Sequence, residues 1–225
     1  VGLHTNKELQ QVKFPNQVVL MAGGLGSRLA PLTAECPKPL LTVGNQPVLE
    51  TIIEGFIEHG FQRFVISVNY QSEMIENYFQ DGRQWDVSIE YLREKEALGT
   101  AGSLGLLNNR LRFDLEHPII VMNGDLLTKL NYRSLLEFHE DHEAPITMCV
   151  RDYDFQVPYG VVRLDNSYAT ALEEKPVHKF FVNAGVYVIS PEVVSSIPEN
   201  QFQNMTDVIR PLLEKKKVVS FPIHE

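Results

Sequence analysis

QVVLMAGGLGSRLAPLT, from Gln17 to Thr33, places a short apolar run directly before three glycines. A run of this length that ends at glycines is typical of a buried strand, which we place at Gln17–Ala22. Glycines mixed with Pro31 are tolerated neither in a stable helix nor in a strand. The stretch therefore predicts a buried strand followed by a loop that is neither helix nor strand and whose role has to be explained by something other than the fold.

Apolar strand-like segments and amphipathic helical segments alternate after this loop. A helical stripe of apolar residues runs through 48–59 and stops at Gly60, and we assign Ser72 and Asn131 as helix N-caps. The predicted strands are 63–68, 87–92, 118–122, 146–150, 160–165, 168–173, 180–189 and 217–222; the predicted helices are 48–59, 73–79, 100–108, 132–142 and one that begins at Thr206. The order predicts an α/β fold: a Rossmann-like mixed, mostly parallel central sheet with helices on both faces and a β-hairpin addition in the second half.

Composition narrows the class of protein. The chain has 225 residues, 44% of them hydrophobic and 22% charged, as in ordinary globular domains, and no apolar run approaches the roughly 18–20 residues that span a bilayer. A net charge of −9 argues against binding to nucleic acid or to an anionic membrane. Without a signal peptide, Cys36 and Cys149 are expected to be reduced thiols in a cytoplasmic protein. Residues 1–16 are expected to form a linker, and 17–225 one domain.

The spacing after the strand argues against two common phosphate loops. A P-loop requires a lysine and a Ser or Thr after its last glycine, whereas Ser27 and Arg28 follow Gly26. A dinucleotide-binding fingerprint that starts at Gly24 would put its third small position on Leu29. A nicotinamide-dependent oxidoreductase is therefore disfavoured, although it stays open.

Two cations remain beside the glycines. Arg28 follows the loop, and Lys38 is held between Pro37 and Pro39, which fix the local backbone. Backbone N–H groups exposed by glycines can cradle phosphate oxygens. This combination suits a triphosphate.

The stretch GGLGSRLAPLTAECPKPLLTVGNQPVLE, residues 23–50, resembles the signature of the sugar-1-phosphate nucleotidylyltransferases, G-G-x-G-x-R-L-x-P-L-T followed by P-K-P-L. Later segments resemble the same family in the same order: LGTAG at 98–102, NGD at 123–125, YG at 159–160, EKP at 174–176 and NAG at 183–185. The resemblance runs from about residue 18 to the end of the sequence. Its nearest branch is the mannose-1-phosphate guanylyltransferase-like one, which favours GTP, although uridine, cytidine and thymidine triphosphates stay open.

The resemblance implies a role for each matched residue. It implies Arg28 and Lys38 as catalytic cations and Asp125 as the ligand of Mg²⁺. It implies that the nucleotide is bound by Met21, Ala22, Gly23, Gly24, Gly26, Arg28, Glu94, Gly99 and Thr100. It implies that the sugar phosphate is bound by Gly160, Glu174, Lys175 and Asn183.

These roles make the expected partners a nucleoside triphosphate and a sugar-1-phosphate, with a homo-oligomer left open. The family usually carries a second metal-binding aspartate beyond a strand like VVSFPIHE, and the sequence given ends at that strand. The N-terminal segment resembles the linker that follows a regulatory domain in some members. The alternative function is a non-catalytic regulatory domain that binds nucleotide-sugars on the same fold, which stays open because the segment with the second metal-binding aspartate is not in the sequence given.

Overall fold

The computed structural model describes residues 12–24, 26, 31–33, 35–109 and 116–223. Its strands are β1 (Phe14–Met21), β2 (Thr42–Val43), β3 (Gln46–Pro47), β4 (Phe61–Val68), β5 (Ser88–Arg93), β6 (Ile119–Asn123), β7 (Ile146–Gln156), β8 (Val161–Asp165), β9 (Tyr168–Glu173), β10 (Val177–Ile189) and β11 (Val218–Ile223). Its α-helices are α1 (Val48–Glu58), α2 (Ser72–Phe79), α3 (Tyr132–His142), α4 (Pro191–Ser196) and α5 (Met205–Glu214). Among the described residues, 3-10 segments lie at Lys38–Leu40, Arg83–Trp85 and Gly102–Asn109.

Seven strands form the central sheet, in the order β11-β7-β10-β6-β1-β4-β5. The pairs β1–β4, β1–β6, β4–β5 and β7–β11 are parallel, whereas β10 runs antiparallel to both β6 and β7. β8 and β9 form a separate hairpin. The predicted mixed, mostly parallel sheet with a hairpin addition is confirmed.

Both faces of the sheet are covered. Val18 and Leu20 of β1 face one core cluster together with α1, α2 and α3, and Val19 between them faces a second cluster with α4, α5 and the 3-10 segment at 102–109. Alternate residues of a strand point to opposite faces, so a strand buried on both faces must be apolar throughout. This is why the unbroken apolar run before the glycines predicts a central strand.

Several element boundaries follow local chemistry. Asn131 caps α3 as predicted, with its side-chain oxygen accepting from the Ser134 N–H at 3.0 Å. The assignment of Ser72 as the N-cap of α2 is wrong: Ser72 is the first helical residue, and Gln71 precedes it in the left-handed conformation. Gly60 ends α1 at φ +95°, where a side chain would collide with the Val12 carbonyl.

Other elements differ from the prediction in length. β1 begins at Phe14, which pairs with Phe61, instead of at Gln17. β7 extends to Gln156 and β10 begins at Val177, so both run well beyond the predicted ends. These outer halves carry charges among their aromatic residues because they are exposed, so they lack the apolar signal of a core strand. The short helix α4 was not predicted at all.

No helix in the described ranges is long and apolar enough to cross a bilayer. Cys36 and Cys149 do not form a disulfide with each other in the structure. Burial raises the pKa of the Cys149 thiol to about 12, so this thiol stays protonated near neutral pH.

A buried histidine makes stability depend on pH. His139 of α3 is 3% exposed, and its Nδ1 lies 2.8 Å from the Thr147 hydroxyl of β7. Burial lowers its pKa from 6.5 to about 4, with the charge of Glu192 acting weakly in the opposite direction. The neutral form is therefore favoured in the folded state, and the unfolded state binds more protons between these two pKa values.

We expect this histidine to cost stability in acid. Its contribution is complete above about pH 6.5 and is lost as the pH falls toward 4, with the free energy of unfolding about 1–2 kcal/mol lower at pH 5 than at pH 7. Urea unfolding at the two pH values measures the loss. His139→Gln should reduce it, while His142→Gln, an exposed histidine on the same helix, should not. Equal pH dependence in both variants would contradict the assignment.

Candidate active site

A cleft of about 450 Å³ opens at the carboxyl ends of β1, β5 and β6. Ligands of open α/β sheets collect at this edge because the loops that leave parallel strands meet there. The cleft is lined by Met21, Ala22, Gly23, Gly24, Gly26, Lys38, Pro39, Glu94, Ala97, Gly99, Thr100, Asn123, Gly124 and Asp125. Ten of these fourteen residues are the ones that sequence reasoning assigned to the nucleotide, to catalysis or to the metal; the other four are Pro39, Ala97, Asn123 and Gly124.

The glycine loop leaves the sheet between two strands. The Ala22 N–H donates to Ser67 O at 2.9 Å, and the Gly124 N–H donates to Met21 O at 2.9 Å, so β1 is held on both sides to its last residue. Gly23 follows in a tight space, where an added Cβ would lie 2.9 Å from Oε1 of Glu94. The end of β1 therefore fixes the position of the loop backbone at the edge of the cleft.

Lys38 stands on a rigid turn beside Gly26. Pro37 precedes it in an extended conformation, Pro39 follows it, and the Leu40 N–H closes the turn on Pro37 O at 2.8 Å. Gly26 has φ +62°, and an added Cβ there would lie 3.3 Å from Cβ of Lys38. The prolines thus present the lysine from a fixed backbone against the glycine loop.

Lys38 forms an ion pair with Asp125 across the cleft. The two residues are 87 positions apart in the chain, and their side chains are each about one-third exposed. Asp125 lies two residues after the end of β6, so the end of a central strand fixes its position. A cation and a carboxylate in contact at the mouth of a glycine loop can separate to bind a phosphate and a metal ion, respectively.

Glu94 has its carboxylate occupied by protein donors. Oε1 accepts from the Ser67 hydroxyl at 2.6 Å, and Oε2 accepts from the Leu98 N–H at 2.9 Å. Its backbone carbonyl accepts from the Asn69 side chain at 3.0 Å. Glu94 therefore shapes the cleft wall and fixes the start of the LGTAG segment.

The LGTAG segment packs against a chain segment that sequence reasoning missed. The backbone of Gln203 bonds to Leu98 O and to the N–H groups of Ala101 and Gly102, at 2.9 to 3.1 Å. The Thr100 hydroxyl accepts from the Met205 N–H at 2.8 Å, at the start of α5. We call this contact between the LGTAG segment and residues 203–205 the brace. The local sequence signal for it is the capping box of Asn204 and Asp207, which marks the start of α5 directly after Gln203.

A substitution at Gly99 tests the contact between the LGTAG segment and Gln203. It has φ +79°, and an added Cβ would lie 2.6 Å from Gln203 O, whereas a Cβ on Gly24 would meet nothing within 4 Å. We expect Gly99→Ala to lower the free energy of unfolding by about 1–3 kcal/mol through backbone strain. Gly24→Ala is the matched control and should change stability by less than about 0.5 kcal/mol. Denaturant titration of both variants measures the two free energies of unfolding. Equal stability of the two variants would contradict the tight contact between Gly99 and Gln203.

The predicted sugar-phosphate residues lie apart from this wall. Gly160 and Glu174 adjoin each other at the base of the β8–β9 hairpin, with a Cβ on Gly160 falling 3.0 Å from Oε2 of Glu174. Lys175 adopts the left-handed conformation at φ +47°, and its carbonyl accepts from the Gln156 side chain at 3.3 Å. These three residues are not among those that line the cleft as the structure describes it.

Asn183 lies closer to the cleft. Its Nδ2 donates to the Tyr187 hydroxyl at 2.6 Å and its Oδ1 accepts from the Gly185 N–H at 2.9 Å, where β10 bulges. Gly185 packs so tightly on the cleft residue Asn123 that a Cβ would lie 2.6 Å from Nδ2. Burial raises the pKa of Tyr187, so its hydroxyl stays protonated and holds the bulge. The predicted Arg28 lies outside the described residues.

Comparison with known proteins places the chain in a family. Residues 17–224 match the model of the nucleotidyl transferase family. The chain belongs to that family. A mannose-1-phosphate guanyltransferase of Pichia angusta is 36% identical over 211 residues, which are 91% of this chain and 58% of that protein. The Saccharomyces cerevisiae protein of the same name is 33% identical over 213 residues, with the same coverage.

Two solved structures share the nucleotidyl transferase fold described here. A putative glucose-1-phosphate thymidylyltransferase from Bacillus anthracis, in complex with a sucrose, superposes with a TM-score of 0.72 at 21% identity, covering 92% of this chain and 87% of that one. HddC from Yersinia pseudotuberculosis, complexed with GMP-PN, gives 0.68 at 24% identity, covering 92% and 90%. The chain spans about 58% of the length of the yeast relatives that it matches.

Proposed function

We propose that this nucleotidyl transferase moves a nucleoside monophosphate, with GTP as the favoured donor, onto a sugar-1-phosphate and releases pyrophosphate. The observation that carries the proposal is the Lys38–Asp125 ion pair at the mouth of the glycine loop. It joins a cation suited to a phosphate and a carboxylate suited to a divalent metal at one point of the cleft. The relatives named mannose-1-phosphate guanyltransferase support the choice of GTP.

The reaction is a single in-line displacement. A phosphate oxygen of the sugar-1-phosphate attacks the α-phosphorus of GTP, the bond between the α-phosphorus and the bridging oxygen breaks, and pyrophosphate leaves with the electron pair. No protein nucleophile takes part. Catalysis then depends on positioning and charge stabilisation, as is general for phosphoryl-type transfer.

Different residues of the cleft bind the triphosphate, stabilise the developing charge and hold the nucleoside. The backbone of Gly23, Gly24 and Gly26 approaches the triphosphate, and Arg28 binds its outer phosphates. Lys38 leaves Asp125 and stabilises the negative charge that develops on the α-phosphate. The wall built by Glu94, Gly99 and Thr100 holds the nucleoside through backbone groups.

Asp125 fits a magnesium site. Mg²⁺ is usually held by one or two carboxylates together with substrate phosphates and water, and Asp125 is a partly exposed carboxylate beside the glycine loop. When bound there, Mg²⁺ would offset the charge of the phosphate oxygens. Asp125 becomes free to hold it when Lys38 turns to the phosphate.

The sugar phosphate is held by Asn183 near Asn123 and by Gly160, Glu174 and Lys175 at the base of the hairpin. The outer halves of β7 and β10 connect the hairpin to the part of β10 that carries Asn183. We place the reaction in the cytoplasm, with no nucleic-acid partner, in keeping with the net charge of −9.

A panel of four nucleoside triphosphates against several sugar-1-phosphates, with pyrophosphate release as the readout, tests the proposal. We expect release with GTP to exceed release with the other three, and to require both Mg²⁺ and a sugar-1-phosphate. Nucleotide binding with no pyrophosphate in any combination would overturn the proposal in favour of a regulatory domain that only binds nucleotide-sugars.

A further inference from the structure

A buried threonine lies beside the glycine loop in a turn that is otherwise exposed. Thr33 is 4% exposed, whereas Leu32 directly before it is 66% exposed. Pro31, the other residue of the turn at 31–33, is exposed as well. A polar side chain is buried at a cost unless its polar atoms are paired, so the contacts of the Thr33 hydroxyl have to explain its position.

The Thr33 hydroxyl binds the backbone of the glycine loop. It donates to Gly26 O at 3.0 Å, across seven positions of the chain. Gly26 has φ +62° and lines the cleft, whereas Thr33 is not among the described residues that line it. The hydrogen bond therefore holds the Gly26 carbonyl toward a residue outside the lining of the cleft.

Gly26 also contacts the turn that carries the lysine. A Cβ added to Gly26 would lie 2.9 Å from Cγ2 of Thr33 and 3.3 Å from Cβ of Lys38. The Gly26 backbone therefore packs against both side chains, with no room for a side chain of its own. Thr33, Gly26 and Lys38 form one packed group at the mouth of the loop.

The direction of the Gly26 carbonyl matters for an anionic ligand. Backbone N–H groups attract phosphate oxygens, whereas a carbonyl oxygen that faces a phosphate repels it. A glycine can turn its carbonyl in more directions than any other residue, because it has no Cβ. A donor that binds the carbonyl from outside the cleft removes this freedom before the ligand arrives, and such preorganisation raises affinity.

We propose that Thr33 is a positioning residue of the triphosphate site, whose hydroxyl holds the Gly26 carbonyl away from the phosphates. This role rests on the proposed function, because it takes the glycine loop as the site of the triphosphate. Thr33 acts through Gly26 and does not itself touch the nucleotide. Loss of the hydroxyl should therefore weaken the binding of a triphosphate and leave KM for the sugar-1-phosphate unchanged.

Two substitutions separate the hydroxyl of Thr33 from its methyl group. Thr33→Val keeps the shape of the side chain and removes the donor, whereas Thr33→Ser keeps the donor and removes the methyl group. Titration calorimetry with GTP and Mg²⁺, without any sugar-1-phosphate, measures the affinity of each variant. We expect Thr33→Val to weaken GTP binding about tenfold or more, because it leaves the Gly26 carbonyl unpaired. Thr33→Ser retains the hydrogen bond and should stay within about threefold of the wild type.

Thr147→Val is the matched control for the loss of a buried hydroxyl. Thr147 is 0% exposed, and its hydroxyl lies 2.8 Å from Nδ1 of His139. Thr147 is likewise absent from the described lining of the cleft. This variant should keep the GTP affinity of the wild type even if it unfolds more easily in urea. Guanosine is the control ligand: it carries no phosphate, so Thr33→Val should bind it as the wild type does.

Thr33→Ala removes the same hydroxyl with less bulk and repeats the measurement if the valine variant does not fold. A folded variant without the hydroxyl that binds GTP as tightly as the wild type would overturn the proposal. Equal losses in Thr33→Val and Thr33→Ser, or an equal loss of guanosine affinity, would overturn it too. A wild-type chain that binds GTP but never releases pyrophosphate would overturn the proposed function instead, because the role of the hydroxyl is measured from GTP binding alone.

Discussion

Lys38→Ala should lower kcat for pyrophosphate release by about two to three orders of magnitude, by analogy with removal of one aimed donor from an oxyanion site. The substitution removes the cation that the structure holds on a proline-fixed turn beside Gly26. Since the charge on the α-phosphate develops in the transition state, we expect a large fall in kcat and a smaller change in KM for the triphosphate.

Lys215→Ala is the matched control for this prediction. Lys215 is exposed at the end of α5 and takes no part in the cleft, so its loss should leave kcat unchanged. Thermal unfolding of both variants checks that the fold is intact. A folded Lys38→Ala protein with near-normal turnover would contradict the role given to Lys38.

Asp125→Asn should reduce the rate by about two to three orders of magnitude, because a catalytic metal supplies several kcal/mol of charge stabilisation. Asparagine keeps the size of the side chain but removes the charge that pairs with Lys38 and would hold the cation. The binding of Mn²⁺, followed by electron paramagnetic resonance, should weaken at least tenfold in the same variant. Asp141→Asn, an exposed aspartate of α3, is the control and should change neither readout.

The ion pair makes the two substitutions interdependent. When Lys38 is absent, Asp125 has no competing cation, so Lys38→Ala by itself should bind Mn²⁺ more tightly than the wild type. The double variant Lys38→Ala/Asp125→Asn should lose less activity than the sum of the two single losses, because both residues act at one point. Additive losses and unchanged Mn²⁺ affinity would show that the two residues work separately.

The fold could be predicted where local sequence and long-range packing agree. Val18, Val19 and Leu20 are apolar in succession because β1 is buried on both faces. A central strand of this kind can therefore be predicted from its unbroken apolar sequence. The outer halves of β7 and β10 are exposed on both faces, and their mixture of charges and aromatics lacks that signal. The missed helix α4 is too short to show a helical period.

The candidate site was predictable in its parts but not in its contacts. The prolines on either side of Lys38 predict a lysine on a fixed backbone. The apolar strand before Asp125 predicts a carboxylate at the edge of the sheet. That these two side chains form an ion pair depends on the order of strands in the sheet, which no local pattern encodes. The brace between Gly99 and Gln203 is invisible for the same reason, because it joins segments that are distant in the chain.

Exchange of labelled pyrophosphate into GTP tests the central claim most directly. A single displacement requires the sugar phosphate as the direct acceptor, so the chain with Mg²⁺, GTP and labelled pyrophosphate should give exchange only when a sugar-1-phosphate is added. Label in GTP without any sugar phosphate would mean that the nucleotidyl group passes through the protein, and no exchange under either condition would mean that this cleft does not transfer nucleotides.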